Sequence, residues 1–355
     1  MKKVIILVIS IMVLPFFLPS QEIIQNSEKP LSSNAGRILE VEEMFRITDE
    51  NGEFFFEHPS GLQVADDGSI FLTDEEQFLK FARDGKFLKN LIKKGQGPGE
   101  IQSFFYFFRL QDENIFIYDP MRMKIIFMDQ EGKLIEEFRL HERYVQFIGL
   151  WKDNFILTKY VYPEMEEQTG KIFDLPGKIF LISKQGDIIN ECYGISWKIF
   201  LHPNISTRIP VLVTTITEDG KTCFISDPEE YLVSVLDFEK LEFIRKFKRD
   251  YPRVKLPKRE TPPSRSSIKI PEKVYKNDIV DLYNFKGKLW VETSTDDDKK
   301  GTLFDVFNRE GQYIDSFWLD VGGSLINTHG DYLFVREQNE DGNMSIVKYK
   351  VLEKS

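Results

Sequence analysis

Asp67-Gly68-Ser69-Ile70-Phe71-Leu72-Thr73-Asp74 is the stretch on which the fold turns. Two turn formers stand ahead of an apolar run rich in β-branched and aromatic side chains. Gly and Asn tolerate the positive φ of tight hairpin turns, and such apolar runs suit a pleated strand. The unit recurs as Glu113-Asn114 before Ile115-Phe116-Ile117 and as Asp153-Asn154 before Phe155-Ile156-Leu157. It returns as Asp219-Gly220 before Cys223-Phe224-Ile225, Lys286-Gly287 before Leu289-Trp290-Val291, and His329-Gly330 before Tyr332-Leu333-Phe334-Val335. Six copies predict a radial all-β array, most simply a six-bladed β-propeller.

A second hairpin alternates with the first. Phe78-Leu79-Lys80-Phe81 leads through Asp84-Gly85 to Phe87-Leu88, with later copies turning at Glu131-Gly132, Gln185-Gly186, Glu239-Lys240 and Glu310-Gly311. From Gly85 the turns follow at intervals of 47, 54, 54 and 71 residues, and the last interval holds a 22-residue Pro-rich stretch, 255–276, whose removal leaves 49. A period near 50 with two hairpins per period matches one four-stranded antiparallel blade. Six inner hairpins meet only five outer ones, so the last blade lacks a strand. Residues 38–47 (Ile38-Leu39-Glu40-Val41 on to Phe45 and Ile47) are expected to pair with the C-terminal strand and close the ring, covering an edge that would otherwise be exposed.

The domain reading is a signal peptide over 1–20, a flexible N-terminal segment over 21–35, and one propeller domain over 36–355. Lys2 and Lys3 form a positive start, Val4 to Leu18 an apolar stretch too short to span comfortably, and Pro19-Ser20-Gln21 a plausible cleavage point. No stable membrane span is expected after cleavage. The mature chain reads as exported, periplasmic or secreted, and monomeric. Segments 160–175 and 195–210 are expected to lengthen blades three and four. Segment 255–276 carries Pro257, Pro262, Pro263 and Pro271 with seven basic and two acidic side chains. It reads as a solvated excursion between blades, with recognition of an anionic partner as the sharper alternative.

A net charge of −10 argues against nucleic-acid binding, which needs a basic face. The 31 Phe and 14% aromatic content agree with many short half-buried strands. The two cysteines fall at the end of an outer strand (Cys192) and in an inner strand of the next blade (Cys223), too far apart to bridge without backbone movement.

Gly95-Gln96-Gly97-Pro98-Gly99-Glu100 looks like a nucleotide loop but has Glu100 where a dinucleotide fingerprint needs its third glycine, and it lacks the Lys-Ser/Thr of a P-loop. It reads as a tight turn between blades. With His58-Pro59-Ser60-Gly61-Leu62, Asp67-Gly68, Ile70-Phe71-Leu72, Asp74, Phe78-Leu79-Lys80-Phe81 and Asp84-Gly85, it resembles one NHL-type propeller blade. The glycine loop also resembles that of exported bacterial six-bladed propellers of unassigned function. Elsewhere the likeness thins to hairpin spacing and an acidic residue at a strand end, such as Asp119 or Asp227. That resemblance implies the fold; some related propellers are metal-dependent lyases or calcium-dependent lactonases, which need His or acidic ligands converging on the channel.

The four histidines, His58, His141, His202 and His329, show no ligand spacing, with His58 and His329 placed in loops or turns. Asp296-Asp297-Asp298 lacks the spacing of an EF-hand and reads as a charged hairpin tip. No nucleophile elbow is present, and the acidic residues scatter through turns and strand ends. No residue is nominated as catalytic, cofactor-binding or metal-ligating, no cofactor is expected, and the ligand-binding residues are left open. The expected function is a non-catalytic extracytoplasmic binding or interaction module using one propeller face, with a protein, peptide or carbohydrate partner. The competing expectation is a hydrolase or lyase with its site at the mouth of the central channel. A channel lined by converging His, Asp or Glu would favour the enzyme, and one lined by Phe, Tyr and amides would favour binding.

Overall fold

A computed structural model describes residues 23–49, 52–102, 107–161, 171–201, 212–257 and 273–352. Residues 1–20, expected to be a signal peptide, His202 and most of the Pro-rich insertion lie outside the described residues. Three strands precede the blades: β1 (Ile23–Asn26), β2 (Arg37–Ile38) and β3 (Val41–Ile47). Blade one is β4 (Pro59–Val64), β5 (Ile70–Asp74), β6 (Gln77–Phe81) and β7 (Phe87–Asn90). Blade two is β8 (Phe107–Gln111), β9 (Asn114–Asp119), β10 (Lys124–Asp129) and β11 (Leu134–Arg139). Blade three is β12 (Gln146–Trp151), β13 (Asn154–Tyr160), β14 (Lys171–Ile182) and β15 (Ile188–Leu201). Blade four is β16 (Val213–Ile216), β17 (Thr222–Ser226), β18 (Val233–Asp237) and β19 (Glu242–Arg249). Blade five is β20 (Ile279–Phe285), β21 (Lys288–Asp297), β22 (Gly301–Phe307) and β23 (Tyr313–Leu319). Blade six is β24 (Gly323–His329), β25 (Tyr332–Gln338), β26 (Met344–Val351) and the N-terminal β3.

The blades are antiparallel meanders, and each second strand is apolar on both faces because it is sandwiched between neighbouring blades. All five residues of β5 are buried. Ile70 and Leu72 join a cluster with Phe334 and Ile346 of blade six, while Phe71 joins one with Ile115 and Ile117 of blade two. Clusters of this kind fill each of the six interfaces between blades. Each fully buried Leu, Ile or Phe contributes on the order of 1.5–3 kcal/mol, so the interfaces supply most of the stabilisation.

In blades one and two a strand-end carboxylate joins the blade to the loop that enters it. Asp74, at the end of β5, accepts the Glu57 and His58 N–H groups at 2.9 and 2.6 Å. Asp119, at the end of β9, accepts those of Gln102, Met121 and Arg122. The glycine loop is a turn between blades one and two. Glu100 folds back to accept the Gly97 N–H at 2.8 Å, and a Cβ on Gly95 would stand 2.0 Å from the same carboxylate. The loop holds its own glutamate where a nucleotide loop would hold phosphate.

Ring closure follows the expectation: β3 pairs antiparallel with β26, from Val41↔Val351 to Ile47↔Ile346. The segment before it is where the sequence reading needs correction. Residues 21–35 were expected to be flexible, yet β1 pairs parallel with β19 and β2 with β23, as fifth strands of blades four and five. Asn26 spans the two blades, donating to Lys248 O and Gly311 O at 3.1 and 2.9 Å and accepting the Tyr313 N–H at 2.9 Å. Arg37 pairs with Asp315 at 2.9 Å. Residues 23–47 therefore form a strap across the rims of three successive blades.

The described part of segment 160–175 lengthens blade three as expected, whereas that of 195–210 does not lengthen blade four. The described parts of both belong to blade three, whose outer hairpin extends to a Lys171↔Leu201 pairing. The Pro-rich insertion leaves between blades four and five through a pinched neck, with Leu256 N donating to Val274 O and Lys276 N to Val254 O. Asp305, fully buried in blade five, accepts from Arg249 Nε of blade four at 2.6 Å and from the Tyr231 and Tyr313 hydroxyls. The guanidinium carbon lies 5.0 to 5.2 Å from the ring centres of Tyr231, Tyr251 and Tyr313. A buried pair of this kind is costly to break, because the surviving charge is left without a partner.

Two variants test this architecture. Asp305→Asn strands Arg249 and should cost about 3–5 kcal/mol in urea denaturation. Deleting residues 36–48 removes the fourth strand of blade six and should lower the melting temperature of the whole domain, whereas an unchanged melt would contradict ring closure.

Candidate functional site

The first strand of each blade lines the hub, and its inner edge has no sheet neighbour. Unpaired buried backbone groups cost about 1–3 kcal/mol each. Here side chains from the adjacent blade take the place of the missing strand. Gln63 of blade one donates to Phe108 O at 2.8 Å and accepts the Leu110 N–H at 3.0 Å, as a strand's peptide group would. Gln146 of blade three does the same to Leu212 at the entry to blade four, at 3.0 and 3.1 Å. Arg109 of blade two donates from Nε to Ile148 O of blade three at 3.0 Å. Asn284 of blade five reaches Ile216 O of blade four at 3.2 Å, and Thr328 of blade six reaches Asn284 O at 2.8 Å. Asn327 closes the circle from blade six to Leu62 O of blade one. All six junctions carry such a bond.

All of these side chains except Gln146 also wall a cavity of about 800 Å³ along the channel. Gln63 and Ser60 come from blade one, Phe107, Phe108 and Arg109 from blade two, Thr214 and Thr215 from blade four. Asp281, Tyr283 and Asn284 come from blade five, and Asn327, Thr328 and His329 from blade six. Amides, hydroxyls and aromatic rings dominate this wall.

Two charges stand out on it. Arg109 spends Nε on Ile148 O and one Nη1 proton on Phe108 O, and makes no ion pair among the described residues. Burial lowers its pKa, but a guanidinium stays charged at any physiological pH. Asp281 accepts the Leu282 N–H at 2.8 Å, and burial pushes its carboxyl up to about 6. Behind it, the Tyr283 hydroxyl lies 2.7 Å from Leu325 O and 2.9 Å from Glu292 Oε2. A phenol has one proton, and the carbonyl can only accept it. The contact with Glu292 is then completed by a proton on the carboxyl, and burial pushes Glu292 up to about 8, with the charges of Asp281 and Asp296 adding to the rise. Glu292 is absent from the cavity wall, so its proton steadies Tyr283 and does not face a ligand.

Of the histidines among the described residues, His329 alone reaches this cavity, beside Ser60, Gly61 and Leu62 of the blade-one motif. His58 is exposed beside Glu75, at 3.9 Å, and His141 is exposed near the Gly186 turn. Asp296 and Asp297 form a hairpin tip as expected, accepting from Thr302 and the Lys299 N–H. Cys192 and Cys223 are free thiols, each pushed up to about 12 by burial. Among the described residues no three His, Cys, Asp or Glu side chains converge as a metal site, and no helix is long and apolar enough to cross a membrane. A register signal for the hub was present in the sequence. Gln63, Arg109, Gly149 and Thr215 each stand five residues before the second residue of their turn, at Gly68, Asn114, Asn154 and Gly220.

The chain belongs to the DUF5128 family, described as "6-bladed beta-propeller", whose profile matches residues 22–317. No curated protein sequence matches it. Among solved structures it is similar to a candidate exported protein from Bacteroides fragilis, with 13% identity, a TM-score of 0.60, and coverage of 94% of this chain and 100% of that one. It is also similar to a member of the DUF4221 family from Bacteroides vulgatus, with 11% identity, a TM-score of 0.57, and coverage of 90% and 99%. At these identities the likeness carries the fold alone.

The Glu292 proton gives stability a definite pH dependence. Its folded pKa of about 8 lies above its ordinary 4.5, so the native state binds the extra proton between those values. Stability should be fully present below pH 4.5, fall as pH rises toward 8, and level off above it. At about 1.4 kcal/mol per pKa unit, the loss is on the order of a few kcal/mol. Glu292→Gln keeps a donor for Tyr283 and should flatten this part of the profile; an equally steep profile in the variant would remove Glu292 as its source.

Proposed function

We propose that this propeller is an extracytoplasmic binding module whose ligand seats in the hub channel. The observation that carries this reading is the convergence of polar and aromatic side chains from five blades on one cavity of about 800 Å³. Ligand sites of this type combine an apolar or aromatic wall with a few placed polar groups, in a volume of about 300–1,000 Å³. Phe107, Phe108 and Tyr283 offer the wall, while Gln63, Thr214, Thr215 and Asn327 offer the polar groups. The Lys2-Lys3 start and the apolar run to Leu18 support export, and the Bacteroides fragilis neighbour is itself described as a candidate exported protein.

A hydrolase or lyase at the same mouth would need acid and base groups facing a substrate together. Asp281 is one carboxylate on the cavity wall. The other, Glu218, accepts the Gly287 N–H at 3.0 Å and so holds the neighbouring turn. His329 has its pKa lowered by burial and by nearby Lys348, which suits a neutral hydrogen-bonding group. The wall therefore fits recognition better than acid–base chemistry.

Thr215→Trp places an indole in the channel without touching the hub bonds described above. In thermal-shift measurements with free amino acids, short peptides, mono- and disaccharides, and small carboxylic acids, at least one class should stabilise the mature protein by several degrees and fail to stabilise the variant. A ligand that stabilises both equally would place the site elsewhere.

A further inference from the structure

Arg109 belongs to blade two and Asp281 to blade five. In a ring of six these blades are three steps apart, so the two side chains enter one cavity from opposite walls. Neither is neutralised by the other. No ion pair links them, and Arg109 has no carboxylate partner among the described residues. After the bonds to Ile148 O and Phe108 O, both protons of Nη2 and one of Nη1 have no acceptor among the described residues, an edge that matches the two oxygens of a carboxylate. Asp281 accepts the Leu282 N–H, has the Tyr283 hydroxyl as a second neighbour, and with two oxygens keeps further acceptor capacity. The wall between them is mostly neutral, including Thr214, Thr215, Asn284 and Asn327, and its other carboxylate, Glu218, is engaged by the Gly287 N–H.

We propose that the channel binds a zwitterion, a free amino acid or a short peptide, with its carboxylate on Arg109 and its ammonium on Asp281. This rests on the channel being the binding site, and adds which chemistry it selects. A lone anion would satisfy Arg109 but face the Asp281 carboxylate across the cavity, and a lone cation would meet Arg109. A saccharide would leave a desolvated charge uncompensated at each end. A molecule with one charge of each sign compensates both. The volume of about 800 Å³ admits a residue or a few, with the amides and threonine hydroxyls available to peptide groups along the way.

The test uses isothermal titration of the mature protein with free amino acids and di- and tripeptides, alongside N-acetylated and C-amidated forms of the same peptides. Free zwitterions should bind, and either cap should weaken binding tenfold or more, the scale expected for losing a charge-assisted pair. Arg109→Lys and Arg109→Met should reproduce the effect of amidation, and Asp281→Asn that of acetylation. An acetylated peptide should then be insensitive to Asp281→Asn, and an amidated one to Arg109→Met. The capped series needs no variant, so a loss of folding in Arg109→Met leaves the comparison decisive. Capped and free peptides binding alike would overturn the proposal. Saccharides or simple carboxylic acids binding in a Thr215→Trp-sensitive way, with zwitterions inactive, would overturn it while leaving the channel as the binding site. Zwitterions binding equally well to Thr215→Trp would overturn both.

Discussion

A propeller gives each blade one strand edge that no sheet can cover, because the first strands ring an axis and cannot pair across it. Everything at the centre of this protein follows from that constraint. The hub backbone is satisfied by side chains: Gln63 and Gln146 imitate peptide groups, and Arg109, Asn284, Asn327 and Thr328 each reach one neighbouring carbonyl. A hub closed by polar side chains differs from one closed by apolar packing. It stays open as a cavity, and its wall is chemically specific. The bonds that join one blade to the next are also the bonds that orient the groups a ligand would meet.

The rim has the opposite problem and two different answers. Blades four, five and six are covered by the strap, with Asn26 fastening β19 to β23 and β3 completing the last sheet. The outer strands of blades one and two keep an open edge but are short and carry Lys89, Glu136, Glu137 and Arg139, which discourage edge-to-edge association. Between hub and rim, the six apolar interfaces need no such device. Their strands alternate toward two neighbours at once, so Phe71 and Leu72 are both core residues though they point to opposite faces.

The blades were legible in the sequence because turn residues and apolar runs recur with a period set by blade size. Closure by β3 was legible as well, since the count of hairpins left one strand missing. The strap was not. Ile23-Ile24-Gln25-Asn26 is too short and too exposed for a burial pattern, and its parallel pairing depends on an outer strand more than two hundred residues away. The hub site was hidden for a related reason. Gln63, Arg109, Asp281 and Asn327 lie far apart in the chain, and each alone reads as one polar residue in a strand. Only a register counted from the turns aligns the first of them. Glu292 was masked further, because nothing local marks a glutamate in Leu289-Trp290-Val291-Glu292 as one that keeps its proton.

Amide hydrogen exchange at Leu110 tests the hub account most directly. The Leu110 N–H faces the channel and donates to Gln63 Oε1 at 3.0 Å, a side chain standing in for a strand. Its exchange in the native protein should be slowed to the level of the neighbouring sheet amides, and Gln63→Leu should accelerate it by an order of magnitude or more while amides of β9 stay protected. Unchanged protection at Leu110 in a folded Gln63→Leu protein would contradict the account.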